Sequence, residues 1–395
     1  MHNGIVERIR VLSQEFEPEL IELRRTFHRY PELSWHEFRT AKRIATILGQ
    51  AGYTVNSGVV KTGVVADYEG PREGKTLAIR ADMDALPIDD GKNVPYASRI
   101  AGALHACGHD AHMAIAVGVA KALKRLNVDL PGKVRFIFQP SEESVPSGAR
   151  ELVNYGVMDG VDAIVAFHVE PELYAGCIGL RQGVLTAHCT EFSLTLRGKS
   201  GHAARPHQSI DTIYLGYQIV GALYDIVSKR RQQLSPAVLT IGKVHGGTKA
   251  NVIPEEVEIA GTIRTVDEQT KDEILSAVEK RVHELTHAAE GRYKLDFKPP
   301  VPSVINDAEL VELVRQVGAC LQPDLDIFDI PNVSMGGEDF SWYQTSAPGV
   351  LIRLGARKVG GDIRHLHTHN FDIDERAIPI GVALMTLIAV DYLLR

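Results

Sequence analysis

The order in which strand-like and helical runs follow one another constrains this chain most. Up to Gly183, apolar β-favouring runs at 63–68, 76–81, 133–139 and 161–168 alternate with helical periodicity such as that of 111–126. Such alternation predicts a mostly parallel sheet with helices on its faces. Beyond Gly183 the order becomes strand 191–197, helix 209–227, strands 237–244 and 255–265, helix 267–289 and strand 292–297. That βαββαβ order is the ferredoxin-like one. Pro299, Pro300 and Pro302 mark its exit, and helix, strand and helix resume at 310–321, 349–354 and 378–394. The expected fold is therefore an α/β domain with a mixed, mostly parallel sheet, residues 1–186 and 301–395, interrupted at 187–300 by an α+β sandwich. At the amino end, Pro18 is expected to open a helix that Pro31 ends. Ser34 and Glu37 read as a capping box for a second helix carrying Phe38, Ala41, Ile44 and Leu48.

A chain of 395 residues, 44% hydrophobic and 24% charged, can bury two cores, so a globular protein is expected rather than a disordered one. The formal charge of -7 and the lack of a Lys/Arg block give no footprint for nucleic acid. No basic stretch followed by an apolar segment opens the chain, and no apolar run is read as membrane-spanning. A cytoplasmic protein without a membrane partner is the expectation. Its four cysteines, Cys107, Cys177, Cys189 and Cys320, are too scattered for a disulfide framework and fit a reducing compartment.

Four segments with metal-ligand chemistry follow the apolar runs. They are Cys107-Gly108-His109-Asp110-Ala111-His112, Gln139-Pro140-Ser141-Glu142-Glu143, His168, and His365-Leu366-His367. Groups beyond the carboxyl ends of strands in an open α/β sheet converge in space. A thiol, imidazoles and paired carboxylates suit first-row divalent ions, with room for more than one. Cys107 and His109, two positions apart before a helix, can face one site, and the positive helix end would help keep the thiol deprotonated. Glu142 and Glu143 repel each other, so holding both near the core calls for a cation or a shared proton. Glu143 is assigned as ligand and Glu142 as general base, because a carboxylate off the ion can take a proton from water. The competing readings are a small buried Cys107, a satisfied core His109 and two solvated glutamates.

Together with Arg80-Ala81-Asp82-Met83-Asp84-Ala85-Leu86-Pro87, Gly198-Lys199-Ser200-Gly201-His202-Ala203-Ala204, Asn251-Val252-Ile253-Pro254, Gly261-Thr262-Ile263-Arg264 and Glu338-Asp339-Phe340, these segments resemble the dinuclear-metal aminoacylase and carboxypeptidase family. The branch is that of hippurate hydrolase, indole-3-acetyl-amino acid hydrolase and N-acetyl-diaminopimelate deacetylase, and the resemblance spans nearly the whole chain in order. It implies that Cys107, His109, Glu143, His168 and His367 hold two divalent ions; by donor chemistry these are Zn(II) or Mn(II) first, Co(II) or Ni(II) as alternatives. Asp84 matches the position that orients a ligand imidazole. His202 matches one that reaches a partner subunit's site to stabilise an oxyanion. Asn251 and Arg264 match positions that hold a substrate carboxylate. The sandwich and the resemblance both point to a homodimer through the inserted domain.

The implied reaction is hydrolysis of the amide bond of N-acyl amino acids or related small amides, with Glu142 as base. Dipeptide hydrolysis, hydrolytic deamination of an aromatic amino acid and a non-catalytic metal-binding role are the alternatives. Two departures stand out. The family usually has a proline soon after the last ligand histidine, whereas here the run is His365-Leu366-His367-Thr368-His369, in which the Leu-His step favours His367 over His365 and His369. Ser141 stands where relatives carry alanine and adds a hydroxyl beside the base.

Overall fold

The computed structural model describes residues 3–126, 128–228 and 236–395. They form two compact units, one of Met1–Gly183, Ile305–Pro331 and Asp339–Arg395, the other of Val184–Val304 and Asn332–Glu338.

The first unit is built on an eight-stranded sheet in the order Thr54–Val59, Gly63–Glu69, Lys133–Gln139, Thr76–Asp82, Ala163–Tyr174, Gly349–Arg357, Cys177–Leu180, Asp326–Asp329. Thr76–Asp82 runs parallel to both neighbours, as Ala163–Tyr174 does to Gly349–Arg357, while the Thr54–Val59 edge is antiparallel. This is the mixed, mostly parallel sheet expected. Thr54–Val59, Cys177–Leu180 and Asp326–Asp329 escape a reading of periodicity, because the first is polar and largely exposed and the others are four residues long.

Helices Asn3–Arg29, His109–Leu126 and Ala377–Leu394 share one apolar core with the sheet. The first continues through Pro18 instead of starting there. Val6, Ile9, Leu12 and Phe16 are buried on the stripe that Leu20, Leu23 and Phe27 continue, and that burial outweighs the backbone hydrogen bond a proline removes. The three helices approach closely at Gly118, where a Cβ would lie 2.6 Å from both Leu20 and Val382. Contrary to expectation, Ala377–Leu394 is long and apolar enough to cross a membrane by length and composition. It is 72% buried inside the protein, and a helix apolar all round is what a core position requires.

A buried ionic cluster ties the first helix to the start of the third. Arg24, fully buried, lies 2.7 Å from Asp110, 2.8 Å from Asp372 and 3.3 Å from Glu375, and His28 Nδ1 lies 2.7 Å from Asp110. Burial pushes the Asp110 carboxyl up, but Arg24 and His28 outweigh it and hold it well below the usual carboxylate range. A carboxylate depressed in the fold adds stability above its unfolded pKa, about 3.9, and that stability is lost as the pH falls through the folded value. Arg24→Met should cost ~3–5 kcal/mol at pH 7 by leaving Asp110 and Asp372 uncompensated. It should also flatten the loss of stability below pH 4, and urea unfolding at both pH values reads the two effects.

The capping box does not form. Helix Phe38–Gln50 starts without a side-chain cap; Ser34 Oγ donates to Asp84 Oδ2 at 2.6 Å, and Glu37 accepts from Thr62 Oγ1 at 2.7 Å. Buried partners from distant segments have displaced the local ones.

In the second unit, strands Ala237–Gly246, Glu256–Thr265, His188–Arg197 and Arg292–Phe297 lie side by side in that order, all antiparallel. Phe192, Leu194, Leu196, Ile259 and Ile263 face Leu215, Ile219 and Leu223 of helix Thr212–Ser228 and Ile274, Val278 and Val282 of helix Glu268–Ala288. This is the ferredoxin-like arrangement, and Asp267 caps its second helix by accepting from Thr270 N at 2.7 Å.

Candidate metal centre

The ligand-bearing segments meet at the carboxyl ends of the central strands. Asp82 and Gln139 end adjacent parallel strands in register, and Met83, Asp84 and the 140–143 turn continue from them. His168 lies on the next strand, and Cys107 and His109 stand where the third helix begins. The turn at 107–109 passes so close to Val169 that a Cβ on Gly108, φ +82°, would lie 2.3 Å from its Cγ2. Gly108→Ala therefore combines a left-handed conformation with overpacking and should cost about 2–4 kcal/mol. A lower melting temperature together with reduced metal stoichiometry is the expected result.

Ligands 2.0–2.3 Å from a common ion stand roughly 3.3–3.8 Å apart in a tetrahedron. Cys107 Sγ is 3.4 Å from His168 Nε2, His367 Nε2 is 3.2 Å from Glu143 Oε1, and His109 Nε2 is 3.9 Å from the same oxygen. Ligand atoms of Cys107, His109 and Glu143 all lie within 4.8 Å of one another. His109 Nε2 is buried without a hydrogen-bond partner, while its Nδ1 is oriented by the Asp84 carbonyl at 2.8 Å. An imidazole aimed into a cluster of acids with one nitrogen unspent fits a metal ligand. Glu142 falls outside this group; one of its carboxylate oxygens lies within 4.8 Å of Asp339 instead.

The electrostatics fit a cation as well. Burial pushes the Cys107 thiol well up and Glu143 adds to this, so the helix end does not by itself keep it ionised. Burial pulls His109 down, but Asp82, Asp84 and Cys107 raise it well above the usual range. His367 is raised by its hydrogen bond to Glu143. Both shifts have the same cause, acids gathered around the rings, and a divalent ion among those acids would relieve it. His168, lowered by burial and by the nearby Arg353, is neutral and offers a lone pair.

His112 is not available. Its Nδ1 is 2.6 Å from Asp82 Oδ1 and its Nε2 accepts from Val169 N at 3.0 Å, which spends both nitrogens. Asp82 is also bound by Arg80 at 2.6 Å, so Asp82 and His112 form a hydrogen-bonded support although their ligand atoms cluster with that of His109.

That support extends beyond the imidazole-orienting role expected of Asp84. Asp84 accepts from Glu142 N and Glu143 N at 3.1 and 3.0 Å, so it holds the turn that carries base and ligand as well as lying 3.3 Å from His109 Nδ1. Buried Asp339, named in the sequence only within the Glu338-Asp339-Phe340 run, accepts from Arg80 at 2.9 Å, Gln139 at 2.8 Å and Ser147 Oγ at 2.7 Å. Its detectable signal was an acid directly followed by Phe340, Trp342 and Tyr343, a pattern of burial. Ser141 is fully buried, with Oγ 3.1 Å from Ser144 Oγ, and belongs to the turn's own bonding.

His202, Asn251 and Arg264 belong to the second unit. Strands Gly201–His202 and Val252–Ile253 pair, and Ala203 N donates to Asn251 O at 3.2 Å, which brings His202 and Asn251 together. Ala204 N donates to His202 Nδ1 at 3.0 Å, so the neutral ring carries its proton on Nε2 and presents an exposed donor. Arg264, near the end of Glu256–Thr265, donates Nη1 to Met335 O at 2.8 Å.

A family model described as Peptidase family M20/M25/M40 matches residues 78–391. The chain is 38% identical over 381 residues to N-acetylcysteine deacetylase of Bacillus subtilis, 96% of this chain and 98% of that protein. It is 33% identical over 392 residues to Thermostable carboxypeptidase 1 of Saccharolobus solfataricus, 98% and 99% of the two. A crystal structure of a Bacillus subtilis protein, described as a dinuclear metal binding peptidase from the M20 family, superposes with a TM-score of 0.84 at 33% identity, over 96% of this chain and 99% of that one. Strand-end ligands, sheet and sequence agree over almost the full length, and the chain belongs to peptidase family M20/M25/M40.

Proposed function

We propose that this protein is a dinuclear-metal amidohydrolase that releases the acyl group of N-acyl amino acids. The observation that carries the reading is the split between neighbours: Glu143 joins Cys107 and His109 in one ligand group, and Glu142 stays outside it. Relatives named N-acetylcysteine deacetylase and N-acyl-L-amino acid amidohydrolase support the substrate class.

Cys107, His109, Glu143, His168 and His367 would hold two divalent ions, Zn(II) or Mn(II) by donor chemistry, with Co(II) or Ni(II) acceptable. When bound, such ions supply Lewis acidity toward an amide carbonyl and lower the pKa of water. Glu142 takes the proton of the attacking water and delivers it to the leaving nitrogen. The His202 Nε2–H donates to the developing oxyanion, from the partner subunit of a homodimer. Asn251 and the remaining N–H groups of Arg264 receive the substrate carboxylate. The second unit supports self-association through Ile213, Tyr214, Tyr217 and Tyr224, large exposed side chains along helix Thr212–Ser228. A ligand thiol and free cysteines suit the cytoplasm.

The carboxypeptidase relatives favour peptide hydrolysis as the second reading. A panel of N-acetyl and N-benzoyl amino acids, dipeptides and aminobenzoates, assayed with Mn(II) or Zn(II) and again after chelation, tests both. Metal-dependent release of free amino acid from the acyl substrates is expected. Protein carrying two equivalents of metal and inactive across the panel would count against an enzyme altogether.

A further inference from the structure

Glu37 is a fully buried carboxylate without a cationic partner among the described residues, and the chemistry above gives it no task. Such a group is tolerated only when its oxygens are saturated with donors. Its Oε1 accepts from Trp35 N and Ser141 N, both at 2.9 Å, and its Oε2 accepts from Thr62 Oγ1 at 2.7 Å. Trp35 and Ser141 are both left-handed, φ +66° and +49°, a conformation that side chains other than glycine's avoid. One oxygen therefore pins two strained residues, and the second of them opens the turn that carries Glu142 and Glu143.

The next two amides of that turn go to Asp84, as described above, so three consecutive N–H groups end on two buried carboxylates from other segments. Trp35 Nε1 donates to Pro146 O at 3.2 Å and closes the far side of the loop. Ser141 O accepts from Gly148 N at 2.9 Å and its Oγ donates to Pro146 O at 3.3 Å, which ties Ser141 to the far side of the loop but leaves its amide plane, ahead of Glu142, free to turn. The contact from Glu37 removes that freedom, and with it the means by which Glu142 could drift from a substrate-bound water.

We propose that Glu37 is a positioning residue for the reaction: its oxygen holds Ser141 in the left-handed conformation that aims Glu142 as base and Glu143 as ligand. The inference rests on the reading of Glu142 as base, and its test separates the two.

Three variants distinguish an acceptor atom from a charge. Glu37→Gln keeps a carbonyl oxygen for Trp35 N and Ser141 N; Glu37→Asp keeps the charge but withdraws it by a methylene; Glu37→Ala removes both. At saturating metal, Glu37→Gln should retain kcat within about threefold, whereas Asp and Ala should lose at least about tenfold in kcat with KM little changed. Hydrogen exchange of the 139–147 peptide should quicken at least about tenfold in the Asp and Ala variants and stay at the native rate in Gln. The exchange result stands even if no acyl amino acid is turned over, so an inactive wild type sinks the substrate reading and leaves the bracket decidable. Native kcat and exchange in Glu37→Asp, or a Gln variant as slow and as mobile as Ala, would overturn the proposal. Should the Ala variant fail to fold, the Asp and Gln pair decides the question unaided.

Discussion

Glu142→Gln should lower kcat by about 10²–10⁴-fold while two equivalents of metal remain bound, the range expected for removing a general base. Glutamine is isosteric and keeps the backbone N–H that donates to Asp84, so Glu143 and the turn stay in place. What disappears is the one carboxylate in the 141–143 turn that stands outside the ligand group. Steady-state kinetics on the preferred acyl amino acid, paired with elemental analysis of the same preparation, make the measurement. Turnover within tenfold of wild type would reassign the base. Loss of metal alongside loss of activity would instead make Glu142 a ligand.

Asp84→Ala is expected to have the largest effect on stability. The carboxylate is 1% exposed and accepts from Ser34 Oγ, Glu142 N and Glu143 N. Three part-buried donors without partners, at about 1–2 kcal/mol each, add to about 3–6 kcal/mol, a large share of the 5–15 kcal/mol typical of a domain. Burial alone would push this carboxyl up, but His109, Ser34 and the turn amides hold it below the usual range. Its contribution is therefore present above pH 4 and fades as the pH falls through the depressed value, so the gap between wild type and variant should narrow in acid. Urea titrations at pH 7 and pH 3.5 measure that gap. Activity should fall too, since the freed turn carries both Glu142 and Glu143; a variant as stable as wild type at pH 7 would show that the turn holds itself.

Much of the site was legible because its residue types are scarce and stand after apolar runs. Cys107, His109, Glu143, His168 and His367 stand out on that basis and on the family resemblance, and pairs of them lie 3.2–3.9 Å apart, a spacing that a shared ion would fit. The choice among three histidines turns on backbone geometry: His367 takes φ +60° with its N–H on Ala106 O, and its ring lies 3.2 Å from Glu143. No periodicity encodes that. Asp339 and Glu37 carry no local mark of their roles: one stands in a short acidic-aromatic run, and the other fits the spacing of a capping box that does not form. Each instead satisfies donors more than 100 residues away.

Element types and order, the interruption by a βαββαβ segment and the ligand chemistry follow from the sequence alone, since apolar spacing and side-chain type are local properties of the chain. The tertiary structure decided which polar groups serve each other: Ser34 with Asp84, Glu37 with Ser141, Arg24 with Asp110. Burial removes water as a competing partner, so a buried donor takes whichever acceptor the packed core presents, however distant in sequence.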